Sequence, residues 1–566
     1  MNPRMTLVAD APAAPTEADV PRRPGLGLAL AICVPLLSAV LAAAAGAWGI
    51  PRDDDWAFTR IAFGLERTGH LQLVGWNKMT LVGLIGWAQP WLLVLGRHVW
   101  VLDLSAAVLV GAGLWATWRL ARLALSPARA ALAVGCVVAL PGFLRDTTSF
   151  MTDGPALALA ALCMLAGVEA MAATGRRRQL LWTASLVLGF WGFTVREFAL
   201  AAPVAVLAAW AVAASDRRRA LAGAGGFLLA CAAFYAWRQS LPGAQSIGPR
   251  PTVDVIVGSI VMTWFTVALF LLPVLVAVTG WSWRSRGQSS VAWRRGALFG
   301  LAAAAIPLGL AHHFGGQPTW LLSDYLTRQG LGANELLLGS RWVLLSPPLW
   351  ALISVAAVIA GVLLAGEVAD RLASRAGGPL ADRPTLTRVL ACHVVAMTVI
   401  LAATAIMNSA VLDRYVWPLV LSGGVLLLAG ARSEVVGRSV RPRAWIALGA
   451  AAVLALALTA GSDAFDGGRW QQGVSAVTAG ASPTSVDAGF EWVGVHTSSS
   501  ADLALRGVGN PNQSWWSKML ALPAPCVEVA ASPITAPGYF LEKTVAWRPL
   551  LLAGHSHWYI YRHQGC

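Results

Sequence analysis

The sequence predicts an all-α polytopic membrane protein of about thirteen transmembrane helices that ends in a small α/β domain. Three observations predict it. Apolar residues make up 57% of the 566 residues and charged residues only 12%, about half the charge that a soluble globular domain carries. Apolar runs close to the length of about 20 residues that spans a bilayer begin near residues 27, 99, 129, 155, 180, 198, 220, 255, 296, 349, 389, 415 and 444. Arginine clusters occupy every second connection between these runs. This composition excludes a small soluble enzyme. It also excludes a disordered chain, which needs low hydrophobicity and high charge.

The net charge of +14 is arginine charge, because the only lysines are Lys78, Lys518 and Lys543. Its placement between apolar runs makes it a topology signal rather than a nucleic-acid footprint. The clusters run from Arg22-Arg23 through Arg119 and Arg122, Arg176 to Arg178, Arg217 to Arg219, Arg294-Arg295, Arg371 and Arg375 to Arg441 and Arg443. Positive charge stays cytoplasmic, so the N-terminus is expected inside. An odd helix count puts the C-terminus outside.

Residues 1–26 are Pro- and Ala-rich and read as a disordered cytoplasmic tail. A cleaved signal peptide, with small-residue sites at Ala42 to Ala45, is the competing reading. Residues 27–461 form the transmembrane region. Its large exoplasmic loops are 51–98, with interfacial helices expected at 56–68 and 79–96, and 312–348. Residues 462–566 form the exoplasmic C-terminal domain. Five of the seven cysteines fall in expected spans, and Cys526 and Cys566 fall in the tail. An outside compartment permits a disulfide between these two, with two free thiols as the alternative.

The chemistry concentrates in the first outer loop. Asp53, Asp54 and Asp55 follow Arg52 and precede Trp56. Adjacent carboxylates raise one another's pKa, which suits a proton acceptor. The same oxygens, with Asp153, have the hardness a divalent cation such as Mg or Mn takes. The structural alternative is a solvated turn that caps a helix starting near Trp56. Outer-face cations suited to a phosphate are Arg52, Arg60, Lys78, Arg196, Arg341 and Arg414. Each has a structural reading as well: snorkelling for Lys78, and an ion pair for Arg196 with Glu197 or for Arg414 with Asp413. Asp153, just before Pro155, also fits a helix start. His312-His313 lacks zinc-ligand spacing. The default for His312, as for Asp324-Tyr325, is a substrate-facing or structural role. Most of the 27 Trp suit an aromatic belt, while Trp76 could stack on a sugar.

These motifs resemble the GT-C superfamily of membrane glycosyltransferases, in the branch of protein mannosyltransferases and aminoarabinose transferases. The resemblance rests on Asp53-Asp54-Asp55-Trp56, on Leu65 to His70 with Trp76-Asn77, on Phe150-Met151-Thr152-Asp153-Gly154-Pro155, and on Asp413-Arg414-Tyr415-Val416-Trp417-Pro418. The segment Asp487 to Trp492 is similar to one found after the last helix in some bacterial members.

The resemblance implies a polyprenyl phosphate sugar as donor, a glycan, lipid or protein acceptor, and a base among Asp53 to Asp55, with Asp54 or Asp55 favoured. It implies substrate contacts at Trp56, Trp76, Asp153 and Tyr415, to which the second outer loop adds His312 as a candidate, and a bacterial cytoplasmic membrane as the location. Transfer from a phosphate needs one base and no strong general acid, unlike glycoside hydrolysis, which needs two carboxyl groups. A lipid or solute transporter is the alternative, but no internal halves are visible.

Overall fold

The computed structural model describes residues 25–76, 79–213, 217–244, 252–279, 290–314, 317–332, 338–373, 384–407, 411–430, 440–497, 516, 525–535, 537–547 and 556–566. Lys78 and residues 1–24 of the N-terminal tail lie outside the described residues.

The helices follow the apolar runs. α1 (Gly25–Ala44) leads through the acidic turn into α2 (Asp55–Thr68), α3 (Val82–Leu95), α4 (Val99–Arg122), α5 (Pro127–Val138) and α6 (Phe143–Thr147). Next come α7 (Asp153–Ala172), α8 (Gly175–Val195), α9 (Ala201–Ala213), α10 (Arg217–Gln239), α11 (Val253–Phe270), α12 (Leu272–Val278), α13 (Ser290–Ala304) and α14 (Ile306–Phe314). α15 (Pro347–Ala373), α16 (Pro384–Ile406), α17 (Trp417–Ala429) and α18 (Pro442–Thr478) complete the bundle.

Every expected run is helical, but among the described residues nine helices are long and apolar enough to cross a membrane. α5, α9 and α17 have 12, 13 and 13 residues, too short to span alone at 1.5 Å per residue. α8 is 21 residues long but opens on Arg176, Arg177 and Arg178. The two stretches expected as interfacial helices, 56–68 and 79–96, are helical as α2 and α3. α2 stops at Gly69, whose left-handed φ of 68° lets its N–H reach the Leu65 carbonyl.

α7 is the hub, packed between α4 and α8, while α1 lies on α4 and α16 on α9. α18 runs through residue 461 without a break, and its outer turns carry the C-terminal elements. These are β1 (Val486–Asp487), α19 (Phe490–His496), β2 (Val527–Ala530), β3 (Tyr539–Trp547) and β4 (Ser556–His563). The sheet order is β1-β2-β4-β3, with β1 parallel to β2 and the other pairs antiparallel. Its inner face docks on α18, where the Trp547 indole donates to the Ala464 carbonyl at 2.8 Å and Trp558 packs on Phe465. One continuous core therefore joins Trp56, the membrane helices and the sheet. The sulfurs of Cys526 and Cys566 are joined, with Cα atoms 5.7 Å apart.

The junction of α1, α6 and α18 is held by charge. Arg52 is fully buried, pairs with Asp463 of α18 at 3.0 Å and donates to the Thr148 carbonyl. Removing one partner of a buried pair costs about 3–5 kcal/mol. Arg52→Met is therefore expected to lower the thermal midpoint in detergent well below that of the wild type. Arg52→Met with Asp463→Leu should recover most of the loss.

Candidate functional site

The site lies where the ends of α1, α6 and α8 and an interior stretch of α18 meet the starts of α2, α7 and α17. Arg414 stands at its centre, on the short helical turn Asp413–Val416 that leads into α17. Its guanidinium is 3.1 Å from Asp324, 3.6 Å from Asp153, 3.8 Å from Asp54 and 3.9 Å from Asp53, and it donates to the Tyr325 hydroxyl at 3.2 Å. Asp413, its neighbour in sequence, points away and accepts the backbone N–H groups of Tyr325 and Leu326. These bonds fix the loop between α14 and α15 that supplies Asp324. Tyr325 donates to Asp146 and lies on Gly142, where a Cβ would collide with the ring.

A second guanidinium locks the start of α7. Arg196 lies 3.6 Å from Asp153 and donates to Thr152 at 2.8 Å and to the Tyr415 hydroxyl at 2.7 Å. Thr152, not Asp153, stands at the cap position of α7. Asp153 is the first helical residue and spends its carboxylate on Arg414 and Arg196. A third guanidinium, Arg145, pairs with Asp466 at 2.7 Å and approaches Asp53 at 4.0 Å. Below it, Arg469 joins Asp466 at 3.4 Å and Glu491 at 2.8 Å.

The three consecutive aspartates have three different environments. Asp53 has a left-handed φ of 62°, and its N–H donates to Glu491 at 2.8 Å. Asp55 turns back and accepts the Arg52 N–H, with no exposed surface. Asp54 faces outward, its side chain 14% exposed. It accepts the Trp76 indole N–H at 2.6 Å. Burial, then the neighbouring Asp53, raises its carboxyl to about 6 against the pull of Arg414 and Trp76. Burial, led next by Asp103, pushes Asp55 well above the usual carboxylate range. Of the pair favoured from the sequence, Asp54 is therefore the one with access to a substrate.

Among the sequence candidates, the fold brings together Asp53, Asp54, Trp76, Asp153, Arg196, Arg414 and Tyr415. It sets others apart. Arg52 is committed to Asp463, so it does not face a phosphate. Trp56 is fully buried against Phe490 and has no face for a sugar. Arg60 donates to the Gly494 carbonyl at 2.8 Å and lines a separate cavity of about 470 Å³ with Arg67, His70, Arg97 and Trp470. His312 is exposed at the end of α14.

Sequence reasoning missed Arg145, Asp146, Asp463, Asp466 and Arg469, and it singled out the segment Asp487 to Trp492 without giving Glu491 a role. The signal for three of them was present: Asp463, Asp466 and Arg469 recur at helical spacing along an apolar helix, where ionisable groups are costly and functional.

Among the described residues no set of three or more His, Cys, Asp or Glu side chains is placed to hold a metal. The arrangement explains why. Asp53, Asp54 and Asp153 converge on a guanidinium, which occupies the position a divalent cation would take, and Asp55 faces the other way. These residues do not fit a metal.

Residues 84–238 match the model of a family described as dolichyl-phosphate-mannose-protein mannosyltransferase. The family lies within the GT-C superfamily that the sequence motifs resemble. The matched stretch holds Arg145, Asp153 and Arg196, and contains neither the acidic turn nor Arg414. Two crystal structures of ArnT from Cupriavidus metallidurans are also similar. The one bound to undecaprenyl phosphate is 12% identical, with 88% of this chain and 84% of that chain covered and a TM-score of 0.36. The apo structure is 11% identical, with 95% and 98% covered and a TM-score of 0.40. No curated protein matches the chain.

Arg414→Gln would leave Asp53, Asp54, Asp153 and Asp324 facing one another without their shared cation. The pKa values of Asp54 and Asp324, which Arg414 pulls down against burial, would rise, and stability from a group with a raised pKa is lost as pH rises through that value. The thermal midpoint of Arg414→Gln is expected to fall further below wild type at pH 8 than at pH 5.5. A deficit independent of pH would show that Arg414 does not favour the charged forms of Asp54 and Asp324.

Proposed function

We propose that this chain is a membrane glycosyltransferase that moves a single sugar from a polyprenyl phosphate donor to an acceptor hydroxyl. In this reading the site opens on the exoplasmic face of a bacterial cytoplasmic membrane, the N-terminus is cytoplasmic, and the acceptor is a cell-envelope glycan, lipid or protein. The observation that carries the reading is Asp54. It is a partly exposed carboxylate at the edge of a buried acid and arginine network, as Asp324 is, and unlike Asp324 it lies beside the Trp76 indole, with its pKa raised to about 6. A general base is most effective with a pKa close to the working pH.

Asp54 takes the proton of the acceptor hydroxyl as the oxygen attacks the anomeric carbon. The bond from that carbon to the phosphate oxygen breaks, and the phosphate keeps the electron pair. A phosphate leaves as a stable anion, so no strong general acid is required. A single displacement inverts the anomeric centre. The indole of Trp76 and the guanidinium of Arg414 aim the carboxylate. Arg414 and Arg196 also supply fixed positive potential where negative charge moves. Because both guanidiniums are already paired, the proposed direct phosphate contact is Lys78, two residues along the chain from Trp76.

Two features support a lipid-linked donor. The matched family is described by a sugar donor of that type. An apolar groove of about 490 Å³ runs between α11, α15, α16 and α17, lined by Ile260, Val267, Leu364, Leu401, Leu419 and Leu427. Its lining includes Leu419, five residues after Arg414 in the chain, and its apolar walls have the character a polyprenyl chain needs. The charged groups gather at one set of helix ends, which gives the transporter reading no support.

The test is transfer by the purified protein from a panel of polyprenyl phosphate sugars. Asp54→Asn is expected to lower kcat by about 100-fold or more, the usual share of a general base, with an unchanged melting midpoint. Asp55→Asn should instead act on stability. Asp54 must be ionised to accept a proton, so wild-type kcat should fall as pH drops through about 6. Trp76→Phe removes a hydrogen bond to the ionised form and should move that limb to higher pH. Turnover of no donor, with lipid phosphate still bound, would sink the reading.

A further inference from the structure

The acidic turn is held from outside the membrane region. α19 lies against α2, and its Gly494 sits so close under Trp56 that a Cβ there would collide with the indole. From this short helix two adjacent side chains reach the site. Glu491, with no exposed surface, accepts the Asp53 N–H and the Arg469 guanidinium, each at 2.8 Å and both on Oε1. Phe490 packs edge-on against Trp76, with ring centroids 5.2 Å apart, and against Trp56 at 5.3 Å.

Each contact acts on a different determinant of Asp54. A left-handed φ is uncommon for a residue with a Cβ and persists only where the surroundings over-determine it. At Asp53, with φ 62°, the Glu491 carboxylate supplies that constraint. The conformation at Asp53 sets the direction in which Asp54 leaves the turn. Phe490 meanwhile fixes the ring whose N–H holds the Asp54 carboxylate.

We propose that Glu491, assisted by Phe490, is the positioning residue that aims Asp54, so that the C-terminal segment completes the active site. The proposal rests on the reading of Asp54 as the base. Its mechanism is reach rather than charge: Glu491 acts as a hydrogen-bond acceptor placed at the Asp53 N–H. Burial raises its carboxyl to about 7, in keeping with a role that does not need full ionisation.

This gives an unusual order of variants. Glu491→Gln keeps an acceptor oxygen at the same reach and is expected to keep kcat close to wild type. Glu491→Asp keeps the charge but is one methylene shorter, and Glu491→Ala has no acceptor. Both are expected to lose kcat by about 100-fold, the scale of a 1 Å misplacement, with donor KM little changed. Phe490→Leu should lie between.

Hydrogen–deuterium exchange of peptides covering residues 51–58 reads the same contact without turnover. Protection should be lost in Glu491→Asp and Glu491→Ala and kept in Glu491→Gln, with exchange in α7 unchanged in all three. The Gln and Asp variants decide the matter even where Glu491→Ala does not fold. The proposal is overturned if Glu491→Asp outperforms Glu491→Gln, or if protection of the turn is lost without a loss of kcat. It is also overturned if all variants keep wild-type protection. If the wild type turns over no donor, the glycosyltransferase reading fails, while the exchange data still decide whether Glu491 holds the turn.

Discussion

A guanidinium buried among four carboxylates is the constraint around which this protein is built. Arg414 has almost no solvent contact, and an ion stripped of water is tolerated only when its partners are placed well. Those partners come from the turn after α1, the start of α7 and the loop between α14 and α15. Each must arrive for the others to be stable. The charge network thereby fixes the relative positions of helix ends that apolar packing alone would leave free to slide. The same logic repeats one layer down, where Arg145, Asp466, Arg469 and Glu491 bind α6, α18 and α19 together.

α18 couples the membrane region to the tail. Its first turns cross apolar surroundings, and its later turns carry Asp463, Asp466 and Arg469 under the site and the docking surface of the sheet. An unbroken helix of 37 residues transmits position without a hinge. The C-terminal segment and the acidic turn therefore share one framework, which is why a residue as late as Glu491 can govern the backbone at Asp53.

Within this network most carboxylates are consumed. Asp413 holds backbone N–H groups, Asp463 neutralises Arg52, Asp153 bridges two arginines, and Asp55 closes its own turn. Asp54 differs because only part of its surface is covered and one of its two partners is a neutral indole. Partial desolvation beside Asp53 raises its proton affinity, while Arg414 limits the rise. The result is a carboxyl whose pKa lies near 6 at an edge where the network meets solvent.

Composition and arginine spacing determined the membrane class and the positions of the helical runs, because bilayer length and apolar burial are properties of local sequence; strand-like runs such as Trp558 to Tyr561 marked the C-terminal sheet. Motif residues such as Asp54, Asp153 and Arg414 were legible for a related reason: charged groups stand out against apolar runs. Which aspartate of the run faces outward was not legible, since Asp53, Asp54 and Asp55 differ only in backbone conformation. Nor was the commitment of Arg52 to Asp463, or the reach of Glu491 to Asp53, 438 residues away in sequence. Such pairings depend on where helices end in space. Tertiary structure alone decided them, because the free energy of a buried charge is set by neighbours that the chain brings together only on folding.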